Sequence, residues 1–251
     1  MTEILKEISC SHCGAPLSVK PGEILATCRY CGFTSVIETG KPFEFEHSLI
    51  VNRYADAQAR DIVMSWMRGS FAAPRDLASK AAIVESSLLY LPFWVIVTEA
   101  SSHCKGIFER ISPPVTTEWD IQNNYDWLVL ARRGVDFPTR SYEIPLDAKI
   151  PYDFTKIEAT AKVLNAELDA REATEIAQSE IRNLHEFLSK EKVDKVIDMT
   201  TEFDVKSTLY LHGPVWIVNY DYRKQRYRIL LDGATGEVIK GDLPPPEFKL
   251  L

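Results

Sequence analysis

The chain has 251 residues, 29 Lys and Arg against 36 Asp and Glu, a formal net charge of −7, and 45% hydrophobic residues. That is too much apolar material for a disordered chain, and it leaves room for one to three domains. The acidic balance argues against a protein whose main work is coating nucleic acid, because displacing phosphate counterions needs a net field of Lys and Arg.

Four of the five cysteines lie in the first 31 residues, and Cys104 stands alone. No charged-then-apolar leader precedes them, so the expectation is a cytoplasmic protein, in which grouped cysteines read as metal ligands. Cys10-Ser-His-Cys13-Gly14 and Cys28-Arg-Tyr-Cys31-Gly32 form two C-x2-C-G pairs separated by fourteen residues. Each pair with its glycine can fold as a tight knuckle aiming two sulfurs at one ion. Four thiolates in a tetrahedron suit one structural Zn²⁺, with Zn–S near ~2.3 Å and no open position for a substrate. Two disulfides, or iron on the same ligand set, are the competing readings. A module of this size buries too little surface to fold unaided, and structural zinc supplies on the order of 10 kcal/mol. His12 is read as a surface residue.

Beyond a break at Gly40-Lys41-Pro42, residues 43–51 read as a strand, and Ala55, Ala59, Ile62, Val63, Trp66 and Met67 recur at helical spacing. A second helical stretch is expected at 76–86. A strand at 88–98 should turn at Ala100-Ser101-Ser102 into a partner at 104–111, closed by Pro113-Pro114. Further strands are expected at 125–131 and 140–146. Two apolar stripes, Ile157, Ala161, Leu164, Leu168 and then Ala173, Ala177, Ile181, Leu184, Leu188, predict a long helical region over 155–192. A phase slip between the stripes predicts two helices or a kink near 169–172. The last third reads as strands at 198–210, 215–222, 227–232 and 237–240, with a tight turn at Asp232-Gly-Ala-Thr-Gly236. Leu89, Pro92, Trp94, Val95 and Ile96 match Leu211, Pro214, Trp216, Ile217 and Val218 at a constant separation of 122, which suggests an internal repeat.

Other chemistry is sparse. Neighbouring residues on a strand face opposite ways, so His103 and Cys104 make no nucleophile–base pair, and Cys104 reads as a buried free thiol. His47, His185 and His212 are isolated in sequence, and no phosphate loop, dinucleotide pattern or nucleophilic serine motif is present. The stretch Tyr220-Asp-Tyr-Arg223-Lys224-Gln-Arg226-Tyr227-Arg228 interleaves cations and aromatics as a nucleic-acid surface does, but an exposed hairpin with tyrosines packed on a sheet is the favoured reading.

Residues 10–32 resemble zinc ribbons of the transcription-factor-IIB type. The whole chain resembles a group of bacterial and archaeal zinc-ribbon proteins, often labelled primosomal protein N′-like, through Tyr90-Leu-Pro92-Phe93-Trp94 and Pro214-Val-Trp216-Ile-Val-Asn-Tyr220. Tyr227-Arg228 and Asp232-Gly-Ala-Thr235-Gly236-Glu-Val238 complete the match. That last block is similar to PepSY-like modules, in which a helix packs on a small antiparallel sheet, mainly over residues 172–243. The resemblance implies a fold and no established activity, and no G-x-x-x-x-G-K-[ST] supports a helicase. Many relatives carry membrane helices, whereas the most apolar run here, 88–97, is about half the ~20 residues a spanning helix needs.

The expected architecture is α+β: a rubredoxin-like zinc ribbon (1–41), a first α+β unit (42–147), a second, PepSY-like α+β unit (148–243) and a Pro-rich tail (244–251). The expected function is that of a non-enzymatic adaptor. Its ribbon presents Ser11, His12, Arg29 and Tyr30 to a protein partner, with Cys10, Cys13, Cys28 and Cys31 holding one structural zinc, no transmembrane segment and no small-molecule substrate. The alternative is a nucleic-acid or ribonucleoprotein factor using the ribbon and the 223–228 hairpin.

Overall fold

A computed structural model describes residues 6–37 and 45–245. The expected break at Gly40-Lys41-Pro42 and the tail from residue 246 onward lie outside the described residues. The N-terminal module is two short hairpins, β1 (Lys6–Ser9) with β2 (Pro16–Val19) and β3 (Leu25–Thr27) with β4 (Thr34–Val36). The body follows as β5 (Glu46–Ile50), α1 (Asp56–Gly69), α2 (Leu77–Lys80), β6 (Ala82–Phe108), β7 (Val115–Leu130), β8 (Lys149–Pro151), β9 (Lys162–Val163), α3 (Ala170–Lys190), β10 (Lys195–Tyr222), β11 (Gln225–Asp232) and β12 (Val238–Gly241). Its strands form one eight-stranded, mostly antiparallel sheet. The protein is thus mixed α/β and mostly sheet. Among the described residues no helix is long and apolar enough to cross a membrane.

The sheet is organised by its two longest strands. β6 and β10 run antiparallel, with Leu91 opposite Gly213, Trp94 opposite Tyr210 and Leu88 opposite Trp216. On its outer side β6 pairs first with β9, in parallel, and then with β7; β10 pairs first with β5, in parallel, and then with β11. Each central strand carries a proline, Pro92 and Pro214, which a central strand ordinarily excludes. Here each falls where the outer partner changes. The Pro92 carbonyl accepts from the Ala131 N–H and the Pro214 carbonyl from the Gly233 N–H, both at 2.9 Å. Within a strand a residue's nitrogen points the same way as its carbonyl, so the missing N–H faces the gap between partners and no β6–β10 bond is lost.

Alternation along β6 separates the cores on the two sides of the sheet. Leu88, Tyr90, Trp94 and Ile96 face α1 and α3, which cover one side of the sheet. Leu91, Phe93 and Val95 face the other side under Phe137, Tyr142, Ile144 and Leu146. Burial on both sides explains why this run is continuously apolar.

Several expected boundaries are corrected. Ala100-Ser101-Ser102 is no turn, because β6 continues through it to Phe108 and β7 pairs with it beyond Pro113-Pro114. The strands expected at 198–210 and 215–222 are one strand, β10. The helix expected at 76–86 is only α2, since Ala82 already belongs to β6. Residues 140–146 form a covering loop whose alternating apolar residues lie on the sheet rather than in it. Over 155–168 there is no long helix: Ile157 and Ala161 serve one core, Leu164 a second and Leu168 a third, so the chain crosses between cores. The phase slip marks the start of α3, where the Asp169 carboxylate accepts from the Glu172 N–H at 2.7 Å. Both Trp94 and Trp216 belong to the same sheet rather than to separate ones.

Candidate metal centre

The two cysteine knuckles are the turns of the two N-terminal hairpins, and they repeat each other in detail. The Gly14 N–H donates to the Cys10 carbonyl at 2.9 Å and the Gly32 N–H to the Cys28 carbonyl at 2.8 Å. The Cys10 N–H donates to the Ala15 carbonyl and the Cys28 N–H to the Phe33 carbonyl, each at 2.8 Å. Both glycines have φ near +75°, at 74° and 75°, where a side chain is strained. A small core of Cys10, Leu17, Val19, Ala26 and Cys28 sits behind the knuckles.

The four cysteine sulfurs all lie within 4.8 Å of one another. Cys10 and Cys31 sulfurs stand 3.7 Å apart, as do those of Cys13 and Cys28. Sulfurs bound at ~2.3 Å to one tetrahedral ion would stand about 3.8 Å apart, so the spacing suits a shared ion. It is well beyond the ~2.05 Å of a disulfide. Cys10 and Cys28 are buried, whereas Cys13 and Cys31 reach the surface. Partial desolvation within the cluster, together with the neighbouring Cys13, Cys28 and Cys10 sulfurs, pushes the Cys31 thiol up to about 12, and burial raises Cys28 as well. Burial also raises Cys10, but backbone N–H groups of Cys13 and His12 outweigh it and bring that thiol to about 7. A bound cation would be the natural counter-charge for four thiolates gathered this closely.

Ser11, His12, Arg29 and Tyr30 at the knuckle tips are exposed, Tyr30 at 63%. The His12 ring stacks on Phe33, with centroids 5.2 Å apart. The opposite flank of this N-terminal module is docked on the body. The Ile24 N–H donates to the Ala166 carbonyl at 2.8 Å, and the Thr27 N–H to the Asn165 side chain at 3.2 Å. The Glu23 carboxylate accepts from Arg132 at 2.7 Å and from Asn165 at 2.8 Å.

Elsewhere the fold gathers residues that looked isolated in sequence. His47 Nε2 lies 2.9 Å from His212 Nδ1, and His212 Nε2 donates to the Leu164 carbonyl at 3.0 Å. Under α3, Ser102 Oγ lies 2.7 Å from His185 Nδ1 and 2.7 Å from the Thr201 hydroxyl, while Tyr125 OH is 2.8 Å from His185 Nε2. No sequence spacing signals this cluster, because it joins three strands and a helix. Ser102 and His185 are each 0% exposed, so the geometry is that of a satisfied interior network. Cys104 is buried and His103 faces outward on the opposite side of β6. In the basic hairpin, Arg226 forks onto Asp221 at 2.9 and 3.2 Å, Arg223 meets Asp76 at 3.1 Å, and Tyr220 stacks on Tyr227. The cleft of about 460 Å³ beside it mixes Arg226, Arg228 and Lys240 with Glu85, Asp136 and Asp242.

No protein-family model, no curated protein and no solved structure matches the chain.

Proposed function

We propose that the chain is a non-enzymatic, zinc-binding recognition protein of the cytoplasm whose ribbon presents its knuckle tips to a protein partner. One observation carries the reading. The four cysteines gather into a closed set, with the tips Ser11, His12, Arg29 and Tyr30 turned outward while the opposite flank is fixed to the body. A tetrahedron of four thiolates suits Zn²⁺ and leaves no coordination position for substrate. An exposed tyrosine beside an arginine is the composition that interface hot spots favour. Kinship with transcription-factor-IIB-type ribbons is part of this proposal, and the paired knuckle hairpins support it.

The body we read as a duplicated β-α-β-β unit, PepSY-like in its second copy. Support comes from matched bonds in the two halves: Glu167 N–H to the Ala131 carbonyl at 2.7 Å beside Arg53 N–H to the Gly233 carbonyl at 2.8 Å, and the two proline carbonyls described above. The nucleic-acid alternative draws less support, because Arg223 and Arg226 of the hairpin are engaged by carboxylates.

Recovery of the native protein from its own cells with its bound partners tests the reading. Tyr30→Ala with Arg29→Glu should retain one zinc per chain and lose the partner, whereas Cys28→Ser should lose the metal as well. Unchanged partner recovery by the tip variant, or turnover that depends on a residue outside the ribbon, would sink it. Binding to DNA or RNA that weakens steeply with salt would favour the alternative.

A further inference from the structure

The docked flank of the ribbon is part of a core. Leu25, 4% exposed, packs with Trp94, Ile96, Ala166 and Tyr210 on the α3 side of the sheet. Leu25 also bridges to Ala166 in backbone pairing. Beside it the Glu23 carboxylate, 5% exposed, is held by Arg132, 11% exposed, which also binds Glu167 at 2.9 Å. On the second flank Thr34 Oγ1 lies 3.1 Å from His47 Nδ1, and a Cβ added to Gly32 would lie 3.6 Å from Tyr152 and from Phe154. The other half of the same sheet face carries its own cover, whose edge the ribbon touches at Gly32. There the core of Trp216, Val218 and Leu88 is covered by Ile157, Ala161, Tyr152 and Phe154, all from the body.

The covering hairpin has little shape of its own. β3 and β4 are three residues each, and the knuckle between them is fixed by Cys28 and Cys31. Metal binding free energy in such modules is folding free energy. Losing it would withdraw Leu25 and the Glu23 carboxylate together, uncovering Trp94 and Tyr210 and leaving Arg132 to Glu167 and the Asn165 carbonyl. From this geometry we infer that the ribbon is a metal-held lid over the α3-side core, so that metal release bares an apolar patch on that half and leaves the α1 half closed. The inference rests on the metal-binding reading proposed above.

Hydrogen exchange by mass spectrometry on the full chain tests it, zinc-loaded and then stripped by a chelator under reducing conditions. Amides at 127–131, 164–177 and 207–212 should lose at least tenfold in protection together with the ribbon, those at 57–69 and 226–231 should stay within twofold, and added zinc alone should reverse the change. Arg132→Gln combined with Leu25→Ser should lower α3-side protection while one zinc per chain is retained. Ribbon exchange that leaves the α3 side protected, equal loss on both halves, or wild-type protection in the double variant overturns the lid. A native chain with no bound metal overturns the metal-binding reading, and the lid with it.

Discussion

His212 is completely buried, and that burial pushes its imidazole down to about 4; His47 is pushed to about 2, by burial first and by His212 second. An unfolded histidine titrates near ~6.5. Between those values the unfolded chain binds a proton that the folded chain refuses. Stability is therefore complete above about pH 6.5 and falls as the pH drops toward 4, by at most about 1.4 kcal/mol per pH unit for each histidine. Urea midpoints should drop between pH 7 and 5, and less so in His212→Gln, which keeps the four cysteines and so isolates the histidine share. Equal slopes in the two proteins would contradict this. The knuckles could be read from sequence because each is local: two cysteines and a glycine within five residues. The His47–His212 and Ser102–His185 contacts could not, because each joins residues far apart in the chain through sheet register alone.

The two long helices, α1 and α3, are capped differently. α3 begins at Asp169, whose carboxylate accepts from the Glu172 N–H, while α1 begins at Ala55, which has no side chain to accept from its first turn. Only the return bond, Ala55 N–H to the Gln58 side chain at 2.9 Å, is made there. Asp169→Ala should cost about 1 kcal/mol, and Ala55→Asp should gain roughly half that or more; thermal unfolding of the two variants should shift in opposite directions. Element types were legible where periodicity was local, as for α1 and the β10–β11 hairpin. They were misread where small residues meant closeness rather than a turn. Ser102, Cys104 and Gly106 are small because α3 and its following segment press on β6. A Cβ on Gly106 would meet Val193 at 2.6 Å and Trp119 at 2.9 Å.

Across the whole molecule, the acidic balance that argued against nucleic acid says little about the ribbon, whose tips carry Arg29 and His12. The body is one sheet in which β5 pairs with β10 and β9 pairs with β6, so each half lends its short strand to the other's long one. Neither half alone has a complete sheet. Fragments 1–148 and 149–251 expressed separately should give poorly dispersed spectra, and the two expressed together should form a stable complex; a well-folded single fragment would refute this. The exchange also has a consequence for synthesis. Leu49 meets His212 only after some 160 further residues have been made, which at roughly 5–20 residues per second takes on the order of ten to thirty seconds. Throughout that interval the edge of β5 that faces β10 waits unpaired, with only β8 able to join its other edge, so the sheet closes only once residue 212 has been made.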